Sequence, residues 1–141
     1  MPINWFNQND IDTALSVLFV VYPQKSDEYY TEESEIVISK PEVIEYILNL
    51  EANNYCGNDV LCVAATIIRT VIKGHPLLDG NKRLGILLGE SFLEQNGYRI
   101  RAGDNDFEKI ALNLAKGIWD KDEVYRWLRK VSSVQPQQKQ K

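Results

Sequence analysis

"GHPLLDGNKRLG", residues 74–85, is the stretch on which the reading of this chain turns. Immediately before it, VLCVAATIIRTVIK (60–73) is apolar almost all round, which predicts a helix buried at the centre of the domain. Gly74 is the natural stop for that helix. After it, residues 82–96 read as a second helix ended by Asn96-Gly97. Gly85 and Gly89 are four apart, so they share a face and permit close packing on a neighbouring helix. The quoted stretch is therefore a short loop between two packed helices. Its charges run against the usual preference. Lys82 and Arg83 fall in the first turn of the second helix, where the positive end of the dipole and unpaired N–H groups favour Asp and Glu.

Four features make that placement intelligible. His75, the single histidine of the chain, precedes a proline, which pushes its backbone away from helical angles. Imidazole titrates near neutrality and is the usual general base for a hydroxyl. Asp79 lies four residues on, and one carboxylate together with substrate phosphates is a common way to hold Mg²⁺. Gly80-Asn81 opens the second helix, where glycine lets a phosphate approach the backbone and the helix N–H groups are ready donors to an anion. Lys82 and Arg83 add positive charge at the same place. Between residues 73 and 83 stand three basic residues (Lys73, Lys82, Arg83) and one acid, Asp79. Singly, each feature has an ordinary reading: Asp79 as a helix cap, Gly80-Asn81 as a turn, the cations as solvated surface. Jointly, a base, a carboxylate, a glycine, an amide and two cations within nine residues point to a site for a highly charged anion such as a nucleotide polyphosphate. The spacing is not that of a P-loop.

HPLLDGNKR at 75–83 resembles the signature of the Fic/Doc (Fido) family, roughly H-x-F-x-[DE]-[GA]-N-[GK]-R, and FLEQNGY at 92–98 is similar to the sequence that follows it. The nearest branch is that of the Doc-like death-on-curing toxins, which carry lysine where AMP-transferring members carry a second glycine. The resemblance implies an all-α, mostly helical fold, a Fido-type bundle with a short β-hairpin flap. It implies His75 as the general base, Asp79 as the Mg²⁺ ligand, Gly80 and Asn81 as the anion hole, and Lys82 and Arg83 as phosphate contacts. It further implies ATP and Mg²⁺ as cofactors. The reaction implied is transfer of the γ-phosphate to a hydroxyl of a target protein such as elongation factor Tu, by a toxin restrained by an antitoxin partner. Two alternatives stand beside it: a Fic-type nucleotidyl (AMP) transferase, and a catalytically weak module that binds nucleotide or a partner. Three departures are visible. Leu77 replaces the family phenylalanine, and Ile86 stands where many Fic motifs have a second arginine. No [ST]-x-x-x-E-[GN] inhibitory motif is complete, Thr31 to Ile36 coming nearest.

Elsewhere the reading is again helical. Asn9 or Asp10 caps a first helix with Ile11, Leu15, Leu18, Phe19 and Tyr22 at helical spacing, stopped by Pro23. EIVIS (35–39) has strand character and is a candidate for the flap. Ser39-Lys40-Pro41-Glu42 reads as a capping box opening another helix. YRIRA (98–102) reads as a short extended piece. Asp104 or Asp106 opens a helix carrying Phe107, Ile110, Leu112, Leu114 and Ile118. Asp120 and Glu123 open the last, with Val124, Trp127, Leu128 and Val131. Trp119, Tyr125 and Trp127 are candidate lining for an antitoxin groove, though core is their commoner use. Residues 1–132 are expected to form a single domain and 133–141 a disordered polar tail.

With 16 basic and 20 acidic residues, the net charge of −4 speaks against direct nucleic-acid binding. No apolar run is long enough to span a membrane, and the first residues lack the features of a secretion signal. Cys56 and Cys62 form neither a disulfide framework nor a zinc pattern, so they are expected reduced and half buried in a cytoplasmic protein.

Overall fold

The computed structural model describes residues 2–21, 38–53, 55–78 and 80–135. Among these residues seven helices and two short strands run in the order α1 (Gln8–Val21), α2 (Pro41–Leu48), α3 (Leu50–Asn53), α4 (Val60–Gly74), α5 (Asn81–Gln95), β1 (Tyr98–Ile100), α6 (Asp104–Ala115), α7 (Lys121–Val131) and β2 (Ser132–Val134). The mostly helical expectation holds.

α4 is the central element. Val63 to Ile68, Val71 and Ile72 are all buried, and α2, α5, α6 and α7 pack around it. A helix apolar all round is stable only inside such a ring. Its closest partner is α5, and the two glycines explain why. A Cβ added at Gly85 would lie 2.8 Å from Ile72 Cγ1, and one at Gly89 would lie 2.4 Å from Ile68 Cγ1. α1 lies against α5, where Phe6 meets Phe92 edge-on at 5.3 Å between ring centroids. The segment before α1 is held by side chains from the far end of α5. Asn96 Oδ1 accepts the N–H of Asn4 (2.7 Å), and Gln95 Nε2 donates to its carbonyl (2.9 Å).

The helix ends differ from expectation in instructive ways. α1 is capped by Asn7, two residues earlier than Asn9. Asn7 Oδ1 accepts the N–H of Asp10 (3.0 Å) and Asp10 Oδ2 accepts the N–H of Asn7 (2.9 Å), a reciprocal box that Asp10 alone did not announce. α2 begins at Pro41 as expected, but Ser39 does not cap it. The Ser39 N–H instead bonds the Pro76 carbonyl at 2.8 Å, so a tertiary partner has displaced the local one. Asp120 and Glu123 do form the box that opens α7, with the Asp120 N–H on Glu123 Oε1 at 2.7 Å. At α6 the acid of the box is Asp106, on the N–H of Gly103. Ile118 lies past the end of α6, 65% exposed, and Leu112 faces outward, so neither belongs to its buried side.

β1 is the extended piece expected at YRIRA. It pairs antiparallel with β2 in the register Tyr98↔Val134, Arg99↔Ser133 and Ile100↔Ser132. Ser133 and Val134, expected in a disordered tail, are therefore part of the sheet, and Gln135 adds a bond from its N–H to the Gly97 carbonyl (2.7 Å). A three-residue Ser-Ser-Val stretch carries no readable strand period, so only its partner reveals it. The expected reduced cysteines are also corrected. Cys56 and Cys62 are joined by a disulfide, with Cα atoms 5.6 Å apart, because residues 55–59 fold back on the first turn of α4. Most of the expected flap, residues 35–37, and the motif-like Thr31 to Ile36 lie outside the described residues. The described end of EIVIS, Ile38, forms an antiparallel bridge with Leu77. No helix among the described residues is long and apolar enough to cross a membrane.

Candidate active site

α4 does not stop where the sequence suggests. Gly74 remains helical, and its missing side chain is needed for contact: a Cβ there would lie 3.0 Å from Val43 Cγ1 on α2. The left-handed residue that ends the helix is His75, with φ 51° and ψ 58°. It is the only non-glycine residue with positive φ among those described. Such a conformation costs a non-glycine residue about 1–2 kcal/mol. It turns the chain sharply, leaves the His75 side chain exposed, and sends Pro76 and Leu77 into the protein, where both are buried. Leu77 is 2% exposed, so the residue that replaces the expected phenylalanine still anchors the loop in the core.

Asn81 holds the loop from the other end. It is the first residue of α5 and 8% exposed. Its Oδ1 accepts the N–H of Leu77 (2.8 Å) and its Nδ2 donates to the Leu77 carbonyl (2.9 Å). Reversing the amide would break both bonds, so its orientation is settled by the network. The same Nδ2 lies 3.4 Å from His75 Nδ1. An amide nitrogen can only donate, so Nδ1 presents its lone pair and the neutral ring carries its proton on Nε2. The basic nitrogen thus faces the N-terminus of α5, in a contact loose enough to be exchanged for a substrate hydroxyl.

That N-terminus is unlike the others. α1, α4, α6 and α7 all receive a carboxylate or amide side chain at their first turn, and α2 and α3 carry Glu42 and Glu51 there. Among the described residues no side chain caps α5, and its first turn holds Lys82 and Arg83 and no acid. Its cap is Gly80, with φ 92°, a backbone setting suited to glycine. Lys82 is exposed and Arg83 half-buried. The arrangement brings positive dipole, first-turn N–H groups and two cations together, a combination whose charge suits an anion.

Of the six residues expected in the site, His75, Gly80, Asn81, Lys82 and Arg83 occupy one loop and one helix end. Asp79 lies outside the described residues. Among the described residues no group of three or more His, Cys, Asp or Glu side chains could hold a metal. What the sequence reading missed was the double bond of Asn81 to Leu77. Its signal was available: an amide four residues after an apolar residue in a turn can bridge that residue's backbone.

The sequence profile described as the Fic/DOC family matches residues 6–93, which is more than half of the chain. The chain belongs to the Fic/DOC family. Members of this family are transferases that act on proteins, by AMPylation or phosphorylation. The fold agrees with that of the N-terminal Fic domain of a Bartonella quintana protein described as a cell filamentation protein (a VirB-translocated Bep effector), solved with bound ADP. The TM-score is 0.54 at 11% identity, covering 96% of this chain and 77% of that one. No curated protein matches the chain. In this Fic/DOC member a separate cleft of about 400 Å³ lies between α2 and α4, lined by Glu42, Tyr46, Arg69 and Lys73 among others. It reaches Gly74 but none of the five described motif residues, so this cleft and the family motif are neighbours and not the same site.

Proposed function

We propose that this Fic/DOC member is a Doc-like phosphotransferase, moving the γ-phosphate of ATP to a hydroxyl of a target protein. The observation that carries the reading is the first turn of α5, where Lys82 and Arg83 stand in place of an acid, beside the basic nitrogen of His75. The motif resembles one in which AMP-transferring members have glycine at position 82; by that resemblance a lysine there would fill the space next to the histidine and add a charge. Binding of ADP by the B. quintana domain supports a nucleotide as the anion.

In this reading His75 Nδ1 takes the proton of the attacking hydroxyl, exchanging its loose contact with Asn81. The α5 N–H groups behind Gly80 and Asn81 hold the phosphate, and Lys82 and Arg83 offset its charge. Asp79 would hold Mg²⁺ together with the phosphates, and the ion would supply further charge neutralisation. Residues 1–132 are taken as one Fic/Doc-like domain, with the described fold continuing through β2. By the same family resemblance, the protein is read as a cytoplasmic toxin acting on a translation factor such as elongation factor Tu and restrained by an antitoxin.

The test uses ATP labelled at either the α- or the γ-phosphate, with Mg²⁺ and bacterial lysate, wild type beside His75→Ala. Label from the γ-phosphate alone on one protein band, absent with the variant, is the expected result. Label from the α-phosphate makes the protein an AMP transferase and removes the role given to Lys82. Nucleotide binding without transfer of either label, unchanged in His75→Ala, makes it a binding module.

A further inference from the structure

The described loop that begins at Tyr55 carries chemistry the motif does not use. Cys56 and Cys62 are bonded, yet the two sulfurs have opposite surroundings. Cys62 is the third residue of α4, in the turn where the helix dipole favours an anion. The Lys121 ammonium lies 3.9 Å from its sulfur. That ammonium is also 4.0 Å from the centroid of the Tyr55 ring, so it is held between the ring and the sulfur. Among the described residues no cation makes a contact with Cys56. Its sulfur lies 3.6 Å from Thr66 Oγ1. The single hydroxyl proton of Thr66 goes to the Cys62 carbonyl at 2.9 Å, so towards Cys56 this oxygen can only accept. In the reduced protein it would accept the S–H of Cys56 and keep that residue a thiol.

The other charged groups around Cys62 leave this asymmetry in place. Asp59 is the nearest carboxylate, but one oxygen accepts the N–H of Cys62 (3.2 Å) and the other the hydroxyl of Tyr125 (2.5 Å). Asp120, next to Lys121, is paired with Arg69 at 2.8 Å. Both cysteines are half-buried, open enough for a small reagent.

We propose that Cys56 and Cys62 are a redox-active pair, in which Cys62 is the attacking thiolate towards small disulfides and Cys56 the resolving thiol. With glutathione disulfide the steps balance. The Cys62 thiolate attacks one glutathione sulfur, the glutathione S–S bond breaks, and one glutathione thiolate leaves and takes a proton from water. Cys56 then gives its proton to water and attacks the Cys62 sulfur of the mixed disulfide, expelling the second glutathione. Two protein thiols are oxidised and one glutathione disulfide is reduced to two thiols. A disulfide in a reducing compartment is characteristically of this transient, exchangeable kind.

The experiment is limited alkylation of the reduced full chain with iodoacetamide at pH 7, followed by peptide mapping. Cys62 should be modified about fivefold or more ahead of Cys56, since an ordinary thiol is only a few per cent ionised there. Lys121→Met should remove most of that advantage, and circular dichroism checks that the variant is folded. In Cys56→Ser, glutathione disulfide should leave a stable mixed disulfide on Cys62. Equal modification of the two cysteines in the wild type overturns the proposal without any substitution. So does a Cys62 rate indifferent to Lys121→Met in a folded variant.

Discussion

His75 and Asn81 show how much a single residue can carry here. His75 ends α4 in a left-handed conformation that a side chain ordinarily avoids, and the loop depends on that turn. Replacing it with alanine keeps the strain, whereas glycine removes it. His75→Gly should therefore be more stable than His75→Ala by about 1 kcal/mol in urea unfolding, with neither transferring label. Equal midpoints would mean that the turn is not strained. Asn81→Ala tests the other end. It leaves the N–H and carbonyl of buried Leu77 without their partner, at a cost of about 2–3 kcal/mol. It should also lower the transfer rate while nucleotide affinity changes less, because the imidazole loses its hydrogen bond to Asn81. A transfer rate equal to that of the wild type would show that Asn81 is a purely structural bridge. The motif was legible because its residue types sit at fixed offsets in sequence. The left-handed turn at His75 was not, because Gly74 looked the better stop until Val43 on α2 was seen to occupy its open side.

At the scale of elements, the α4–α5 contact sets the site. The loop joins the two helices, so their separation fixes how His75 faces the end of α5. Gly89→Ala would place a methyl 2.4 Å from Ile68 Cγ1, in a core where Ile68 is 1% exposed. Overpacking of this kind costs about 1–3 kcal/mol. The loss should show as a lower thermal midpoint, and pairing it with Ile68→Ala should cost less than the two changes summed. Strict additivity would place the strain elsewhere. The glycine pair was readable from the sequence as a close-packing face, since spacing of four is local geometry. Which helix it met was not, and neither was the loss of Ser39 as a cap, for both depend on a partner distant in the chain.

Across the whole molecule, contacts between distant residues tie the ends to the centre. Asn4 is held by Gln95 and Asn96, β1 by β2, and α7 by the ion pair of Asp120 with Arg69 of α4. The Arg69 hydrogen bond, then the Lys121 N–H, hold the Asp120 carboxyl below its ordinary value, and the Asp120 N–H does the same for Glu123. Groups depressed in the folded state stabilise it fully above their unfolded values. As the pH falls through about 4 the unfolded chain takes up protons first, so stability declines. The urea midpoint should therefore fall between about pH 5 and pH 3, and Asp120→Asn should flatten that slope. The effect should be small, since both side chains are largely in water. A slope unchanged by the substitution would assign the acid sensitivity to other carboxylates.

The sequence by itself determined that the chain is mostly helical, that an apolar helix lies at its centre, and that the residues of the Fic/DOC motif follow it in one short loop. These depend on periodicity, composition and offsets of a few residues, which the chain order preserves. The tertiary structure alone decided that Asn81 holds both the loop and the imidazole, that α5 opens on a left-handed Gly80, that Ser133 and Val134 belong to a sheet, and that Cys56 meets Cys62 beneath Lys121. Each of these is a choice among several available partners. Which partner wins is settled by burial and by hydrogen bonds made only when distant parts of the chain have come together.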